Sequence, residues 1–413
     1  MQAHVDAEGR LVLPLELAAR FGLRPGATVE FDDGPDGLRL RRPVTHLAKV
    51  YVEPTSACNL ACRTCIRNAW EEQPGQMAEE TFARIVDGLR AFSPPPTVFF
   101  GGYGEPLFHP SIVDMTAQVK ALEARVELIT NGTLLTETRA RALIAAGLDV
   151  LWVSLDGATP ESYADVRLGA ALPEVLANVE RFRDISRQFP AARRPATGIV
   201  FVAMKRNIAD LPALLGLSRR LGVTRLLVTN VLPHTAEMCA EVLYARTLIR
   251  NAYHLLPPRP PYLRLPQMDA SEFVGAALSR AACDDWVIGL GENHLRTMQD
   301  RCPFIESGAT AIAWDGGLSP CLPLLHDHTS FLNGLQRFSR RYVIGSVTER
   351  SLSDLWKAPE YVAFRERVQA FEFAPCALCD GCSLSKTNEE DCCGNAFPTC
   401  GGCLWAQGII QCP

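Results

Sequence analysis

An α/β fold built on parallel strands, as a barrel or part of one, is predicted by six short β-rich runs that alternate with amphipathic helical stretches. Two further observations organise the chain. The polar insertions follow the strands instead of preceding them, and thirteen of the fifteen cysteines gather in two regions. With 413 residues the chain is too long for one ordinary core, so two or three domains are expected.

The first 43 residues read as a small β unit. "HVDAEGRLVLP" alternates into a turn and strand, "LELAARFGLRPG" is a short helix ending at glycine and proline, and "ATVEFDDGPDGLRLRRP" is a hairpin. The segments Gly9 to Pro14 and Gly22 to Gly26 resemble the AbrB/SpoVT swapped-hairpin family, in which two chains interleave. The resemblance implies a homodimer and permits DNA binding. Six basic residues against seven acidic ones, a local charge of −1, disfavour DNA, because phosphate contacts dominate such affinity. Dimerisation or docking of a partner is the better reading for residues 1–46.

Residues 47–235 hold the alternating pattern. Strands are predicted at 48–53, 97–101, 125–130, 149–155, 197–203 and 225–231, with helices such as "MAEETFARIVDGLRAF" and "LLTETRARALIAAG" between them. Cys58 to Cys65 follow the first strand, Gly102 to Pro106 the second, Asn131-Gly132 the third and Asp156-Gly157 the fourth. In βα barrels that face carries the active site. Residues 236–300 read as a connector whose "LLPPRPPYLRLP" is extended. Residues 301–413 form a cysteine-rich domain with a helical stretch, "SLSDLWKAPEYVAFRERV", in its middle.

Composition narrows the partners. The net charge is −5, from 41 basic and 46 acidic residues, which gives no reason to expect nucleic acid or an anionic membrane. The polar start "MQAHVDAEGR" is unlike a signal peptide, and no apolar run approaches spanning length. A cytoplasmic protein without a membrane partner is expected. Clustered cysteines in that compartment point to metal or redox chemistry, since disulfides are rare there. Cys239 and Cys283 stand apart from the clusters and read as buried small apolar residues.

Cys58, Cys62 and Cys65 are spaced C-x3-C-x2-C. Structural zinc takes four closed ligands; a cubane cluster on three thiolates leaves one iron open to a small molecule. This spacing after a first barrel strand resembles the radical S-adenosylmethionine (SAM) superfamily, whose fold is a partial (β/α)6 TIM-type barrel. The resemblance implies a [4Fe–4S] cluster bound with SAM and a 5′-deoxyadenosyl radical that abstracts hydrogen from a substrate. It extends to "YGEP" (Tyr103, Gly104, Glu105, Pro106), which matches the family's GGEP contact to the SAM amino group with Tyr103 in place of a glycine. It also implies that Ser154 and Asp156 touch the SAM ribose or carboxylate, and that Arg167 approaches the carboxylate. Asn131 sits at a strand end, where it contacts the cofactor or shapes the turn with Gly132. Taken alone, Glu105 and Asp156 would read as caps or turn residues.

Cys302 and Cys321, then Cys376-x2-Cys379-x2-Cys382, Cys392-Cys393, Cys400-x2-Cys403 and Cys412, resemble the SPASM extension, whose cysteines hold two auxiliary [4Fe–4S] clusters. Gly316 and Cys321 match its opening element. The spacing departs from the pattern after Cys382. Because of that departure the resemblance does not fix each ligand, and we allocate Cys302, Cys321 and one of Cys392 or Cys393 to the nearer cluster. Cys376, Cys379, Cys382 and one of Cys400, Cys403 or Cys412 go to the other. A zinc-ribbon module is the alternative that spacing alone leaves open. His326, Asp327 and His328 read as a solvated loop. Leu322 follows Cys321 where sulfatase-maturing members carry an Asp that serves as the base, which argues against that chemistry.

Nearly the whole chain, including "EPTSACNLACRTCIRNAW" and "FPTCGGCLWAQGIIQCP", resembles the tungsten cofactor oxidoreductase radical SAM maturase family. That implies a protein or peptide substrate associated with a tungsten-dependent oxidoreductase, and reduced ferredoxin or flavodoxin as electron donor. Two other readings stand beside it: an enzyme that modifies a small precursor peptide, and an iron–sulfur redox sensor that binds DNA. The catalytic acid or base is not legible.

Overall fold

The computed structural model describes residues 4–15, 18, 23, 31–34, 37–40, 43–244, 262–265, 287–290, 301–332, 334–374, 376–377 and 383–413. Most of the helix expected over "LELAARFGLRPG", together with Cys283, Cys379 and Cys382, lies outside the described residues. At the front, β1 (His4–Val5) pairs antiparallel with β2 (Leu11–Val12), and β3 (Phe31–Gly34) with β4 (Gly37–Leu40). These are the turn-strand and hairpin that the sequence predicts.

The six predicted strands are present: β5 (Lys49–Val52), β6 (Thr97–Phe100), β7 (Val126–Thr130), β8 (Val150–Ser154), β9 (Ala196–Ala203) and β10 (Arg225–Asn230). Within residues 236–300, read as a connector, β11 (Tyr262–Leu265) and β12 (Val287–Leu290) add two more parallel strands beyond β10. On the other side β13 (Ala309–Ile312) pairs parallel with β5, and β14 (Gly317–Ser319) and β17 (Gly345–Ser346) follow antiparallel. The eleven-stranded sheet runs β12-β11-β10-β9-β8-β7-β6-β5-β13-β14-β17. A separate hairpin, β15 (His328–Leu332) with β16 (Leu335–Ser339), projects from the cysteine-rich domain. The cysteine-rich domain is therefore joined to the barrel strand that precedes the three-cysteine loop.

Alternation along the strands makes two cores. Val50, Val52, Val98, Phe100, Leu128 and Val153 face the helix layer. That layer includes helix Glu79–Leu89, which buries Phe82, Ile85, Val86 and Leu89 at helical spacing. Helix Glu137–Ala146 starts at the Thr136 side chain, which accepts from the Arg139 amide, and stops at Gly147 with φ +93°. Tyr51, Phe99, Trp152, Val200 and Leu227 face inward instead, onto Trp405, Ile409 and Ile410 of the C-terminal segment. Burying each such side chain contributes roughly 1.5–3 kcal/mol.

That segment is fastened inside the sheet at several points. Asn230 Nδ2 donates to the Ile409 carbonyl (2.8 Å) and the Gln411 amide to Thr229 Oγ1 (2.8 Å). Lys49 Nζ and the Tyr51 hydroxyl donate to the Pro413 carbonyl at 2.6 and 2.8 Å. Burial pulls the Lys49 ammonium down to about 8, against the nearby Glu127 charge.

Two sequence expectations fail on burial. His326 and His328 are 1% and 4% exposed, not part of a solvated loop. Cys239 is half-buried on a short helical turn, not fully buried. Among the described residues, no helix is long and apolar enough to cross a membrane.

Candidate functional site

The loop after β5 is fixed before any ligand is considered. The Thr55 hydroxyl donates to the Gly75 carbonyl (2.6 Å) and the Ser56 and Gly75 amides are both bonded across the same gap. Arg67 donates to the carbonyls of Ser56 (3.0 Å) and Leu60 (2.9 Å), and Asn68 to that of Cys62 (2.9 Å). These bonds turn the Cys58, Cys62 and Cys65 thiols into one wall of a cleft of about 1010 Å³, counting its open mouth. Cofactor sites span roughly 300–1,000 Å³. Tyr103, Gly104, Glu105, Pro106, Asn131, Ser154 and Arg167 line the same cleft.

Glu105 organises it. One oxygen accepts from the Leu107 amide (3.0 Å) and the Thr130 hydroxyl (2.7 Å), the other from the Asn131 amide (2.7 Å). Burial pushes its carboxyl upward, with those three bonds working the other way. Gly104 lies against the cysteine loop so closely that a Cβ would strike the Thr55 carbonyl. Asn131 both shapes its turn and faces the loop. Its oxygen accepts from Thr133, and its amide reaches Asn59 Oδ1 (3.0 Å) and Cys58 Sγ (3.8 Å).

Asp156 does not line the cleft. It is fully buried, with one oxygen on Arg167 Nε (2.7 Å) and the other accepting from the Val202 amide (2.8 Å). Arg167 lies between Asp156 and the cleft, with Nη1 3.8 Å from Cys62 Sγ. Burial would lower the Arg167 pKa, but the Asp156 and Cys62 charges more than offset it, so it stays cationic.

The donor set suits a thiolate-ligated cluster. N–H groups of Leu60 (3.4 Å) and Asn131 face Cys58, and a fixed cation faces Cys62. Burial raises the free Cys58 and Cys62 thiols, a cost that binding as thiolates among such donors relieves.

A second, more enclosed cavity of about 720 Å³ is lined by Cys302, Cys321, Cys400 and Cys403. Cys400 and Cys403 meet Cys302 and Cys321 there, whereas Cys392 and Cys393 are exposed. The cavity lining differs from the expected grouping: Thr399 to Trp405 fold back against the Cys302 loop, and the Asp391 turn holds the Cys392-Cys393 pair outward. Arg337, 5% exposed, also lines this cavity, and a buried guanidinium among four sulfurs fits thiolates. Burial pushes Cys302 up to about 12. Cys376 is buried, and Cys412 sits in the barrel lumen, where it accepts from Trp405 Nε1 at 3.3 Å. Leu232 and Trp405 line both cavities.

Arg67, Thr229, Asn230, Trp405 and Ile410 also line the first cleft, and sequence reasoning does not select them. Thr229 and Asn230 end the sixth strand, so the strand-end rule that selects Ser154 would have found them. Trp405 and Ile410 carry no comparable signal, because the segment's partners are more than 170 residues away.

Residues 52–195 match the Radical SAM superfamily and residues 302–383 match SPASM, an iron–sulfur cluster-binding domain. The tungsten-containing aldehyde ferredoxin oxidoreductase cofactor-modifying protein of Pyrococcus furiosus is 31% identical over 371 residues, 88% of this chain and 96% of that one. The chain belongs to the radical SAM superfamily. Two solved structures share the fold of this radical SAM enzyme at 14% identity and TM-score 0.55. One is Streptococcus suis SuiB bound to the precursor peptide SuiA (83% of this chain, 72% of that one). The other is a tagged form of anSMEcpe with bound AdoMet (88% and 93%).

A radical SAM enzyme with a SPASM domain holds a [4Fe–4S] cluster with SAM and auxiliary iron–sulfur clusters. Cys58, Cys62 and Cys65 would hold the first cluster, which with SAM bound would supply the electron for reductive cleavage of the sulfonium. The protein contributes placement and charge. Arg67 and Asn68 hold the thiol loop in one conformation, Glu105 binds the second strand's loop to the third, and Arg167 presents positive charge beside Cys62. The apolar inner face, with Trp405 and Ile410, limits the water that reaches a radical formed there.

Proposed function

We propose that this radical SAM enzyme is a maturase that oxidises a polypeptide, a tungsten-dependent oxidoreductase or a segment of one. The observation that carries the reading is identity spread over 96% of a relative named as the cofactor-modifying protein of a tungsten-containing aldehyde ferredoxin oxidoreductase. The protein keeps its SAM cleft and auxiliary cavity side by side behind one tryptophan, an arrangement suited to withdrawing an electron after hydrogen abstraction. In the reaction the radical takes one hydrogen atom from a side chain, and the substrate radical then loses one electron and one proton. The oxidants are SAM, which becomes 5′-deoxyadenosine and methionine, and an auxiliary cluster that accepts the second electron. Reduced ferredoxin or flavodoxin is the electron donor.

Cys58, Cys62 and Cys65 hold the SAM-binding cluster. Two auxiliary clusters draw on Cys302, Cys321, Cys376, Cys379, Cys382, Cys400, Cys403 and Cys412. The expected load is roughly twelve irons per chain. The enzyme acts in the cytoplasm as a homodimer joined through residues 1–46, and this unit docks no DNA.

Anaerobic co-expression with a tungsten-dependent oxidoreductase should lower the partner's mass by about 2 Da per event, the loss of two hydrogens. Replacing Cys58, Cys62 and Cys65 together by Ala should abolish both the shift and SAM cleavage, and remove about a third of the iron. An unmodified partner beside an enzyme that cleaves SAM would sink the substrate assignment. A mass shift on a small precursor peptide would move it to the peptide-modifying reading.

A further inference from the structure

The strongest unassigned feature is a buried imidazole between two carboxylates. His326, from the cysteine-rich domain, has Nε2 2.8 Å from Glu53 Oε2 and Nδ1 2.8 Å from Glu72 Oε2. Glu53 lies just beyond β5 and Glu72 beyond the three-cysteine loop, so three distant segments meet at one ring. Both ring nitrogens face acceptors, and the imidazolium alone donates to both at once. Burial opposes the charged form, but the bonds and charges of Glu53 and Glu72 outweigh it and raise the His326 pKa.

The cluster leads directly into the cleft. Trp70 stacks on His326 with ring centroids 4.2 Å apart, and Tyr103 meets both rings edge-on at 5.2 and 5.9 Å. The Tyr103 amide donates to the other oxygen of Glu53 (3.0 Å), and its hydroxyl donates to the carbonyl of Leu322 (3.2 Å), the neighbour of Cys321. Gly102, at φ +105°, lets this turn lie on the Glu53 side chain. Tyr103 is thus held at its backbone, its ring and its hydroxyl while it lines the cleft with Cys58, Cys62 and Cys65.

We infer that His326 is a positioning residue for SAM: clamped by Glu53 and Glu72, it fixes Tyr103 in the cleft wall and makes that wall depend on docking of the auxiliary domain. The inference rests on the reading of the cleft as the SAM site. The other groups near the ring do not compete for the role. His328 donates from Nδ1 to the His326 carbonyl and is pushed down to about 4 by burial, Asp327 is exposed, and burial holds the Tyr103 phenol neutral.

The test uses full-length, cluster-reconstituted enzyme with SAM and dithionite. His326→Gln should raise KM for SAM about tenfold and change the maximal rate of 5′-deoxyadenosine formation less than twofold, at unchanged iron content. Glu72→Gln, at a half-exposed site that tolerates change, should move KM the same way by a smaller factor, and the double variant should be no worse than His326→Gln. In wild type, KM should climb as pH rises through the raised His326 pKa, and in His326→Gln it should stay flat. Without any cluster or SAM, tryptophan emission should titrate with pH in wild type and lose that step in both His326→Gln and Trp70→Phe.

Wild-type KM and pH profile in an active His326→Gln enzyme would overturn the inference alone. If that variant fails to fold, an unmoved KM in Glu72→Gln would do so. A wild type that cleaves no SAM would overturn the cleft reading and this inference with it.

Discussion

Asp156 and Arg167 meet where water reaches neither charge freely, with side chains 0% and 11% exposed. Such a pair is weak evidence for net stability, but breaking it from one side leaves a buried charge alone. Arg167→Ala should therefore destabilise the protein by about 3–5 kcal/mol, read as a lower denaturant midpoint. Asp156→Asn keeps the shape and removes the charge, and should cost less. Equal, small losses in both would show that the pair carries little. The distinction also bears on what the sequence can convey. Spacing groups Cys58, Cys62 and Cys65 because they lie on one loop, and Glu105 is singled out by its place after the next strand. It cannot separate Asp156, which holds Arg167, from residues that line the cleft, because both follow a strand. His326 reads as solvated because nothing local to "LLHDHTS" reveals Glu53 and Glu72, which lie more than 250 residues earlier.

At the scale of elements, the period of hydrophobic residues sets the six strands to within two residues at each end. Each of these runs carries three or more β-branched or large apolar residues flanked by polar turns. β11 and β12 give no clear signal because "YLRL" adjoins a run of prolines and "VIGL" carries a glycine, which weakens strand patterns. The parallel pairing of β13 with β5 is not legible either, since register between segments 260 residues apart leaves no mark in either one. The turn after β6 offers a sharp test. Gly104 packs on the Thr55 and Ala57 carbonyls, and Glu105 donates its amide to the Ala57 carbonyl at 2.9 Å. Gly104→Ala would force that turn off the cysteine loop and carry Tyr103 and Glu105 with it. SAM cleavage should fall at least tenfold, with iron retained in the auxiliary domain. Near-normal cleavage would mean that the two loops are less tightly coupled than their backbone contact implies.

For the whole molecule, the question left by the sequence is what residues 1–43 contribute. Their turn-strand unit exposes apolar side chains to an unusual degree, with Val5 66%, Leu11 49% and Leu15 88% accessible. A swapped partner chain would cover such a surface. The junction behind the unit is anchored independently. Arg365 is fully buried, stacked 3.7 Å from the Trp356 ring, and donates to the Val44 carbonyl at 2.7 Å. Trp356 Nε1 donates to the Thr45 carbonyl at 2.8 Å. A chain beginning at Val44 therefore keeps every one of these contacts and should fold with its clusters. Sedimentation should show the full chain as a dimer and this truncated chain as a monomer, while SAM cleavage per chain stays within about twofold, because no residue of the cleft is removed. A truncated chain that remains dimeric would place the interface elsewhere. A truncated chain that loses its clusters would instead show that the first unit supports the catalytic domain directly.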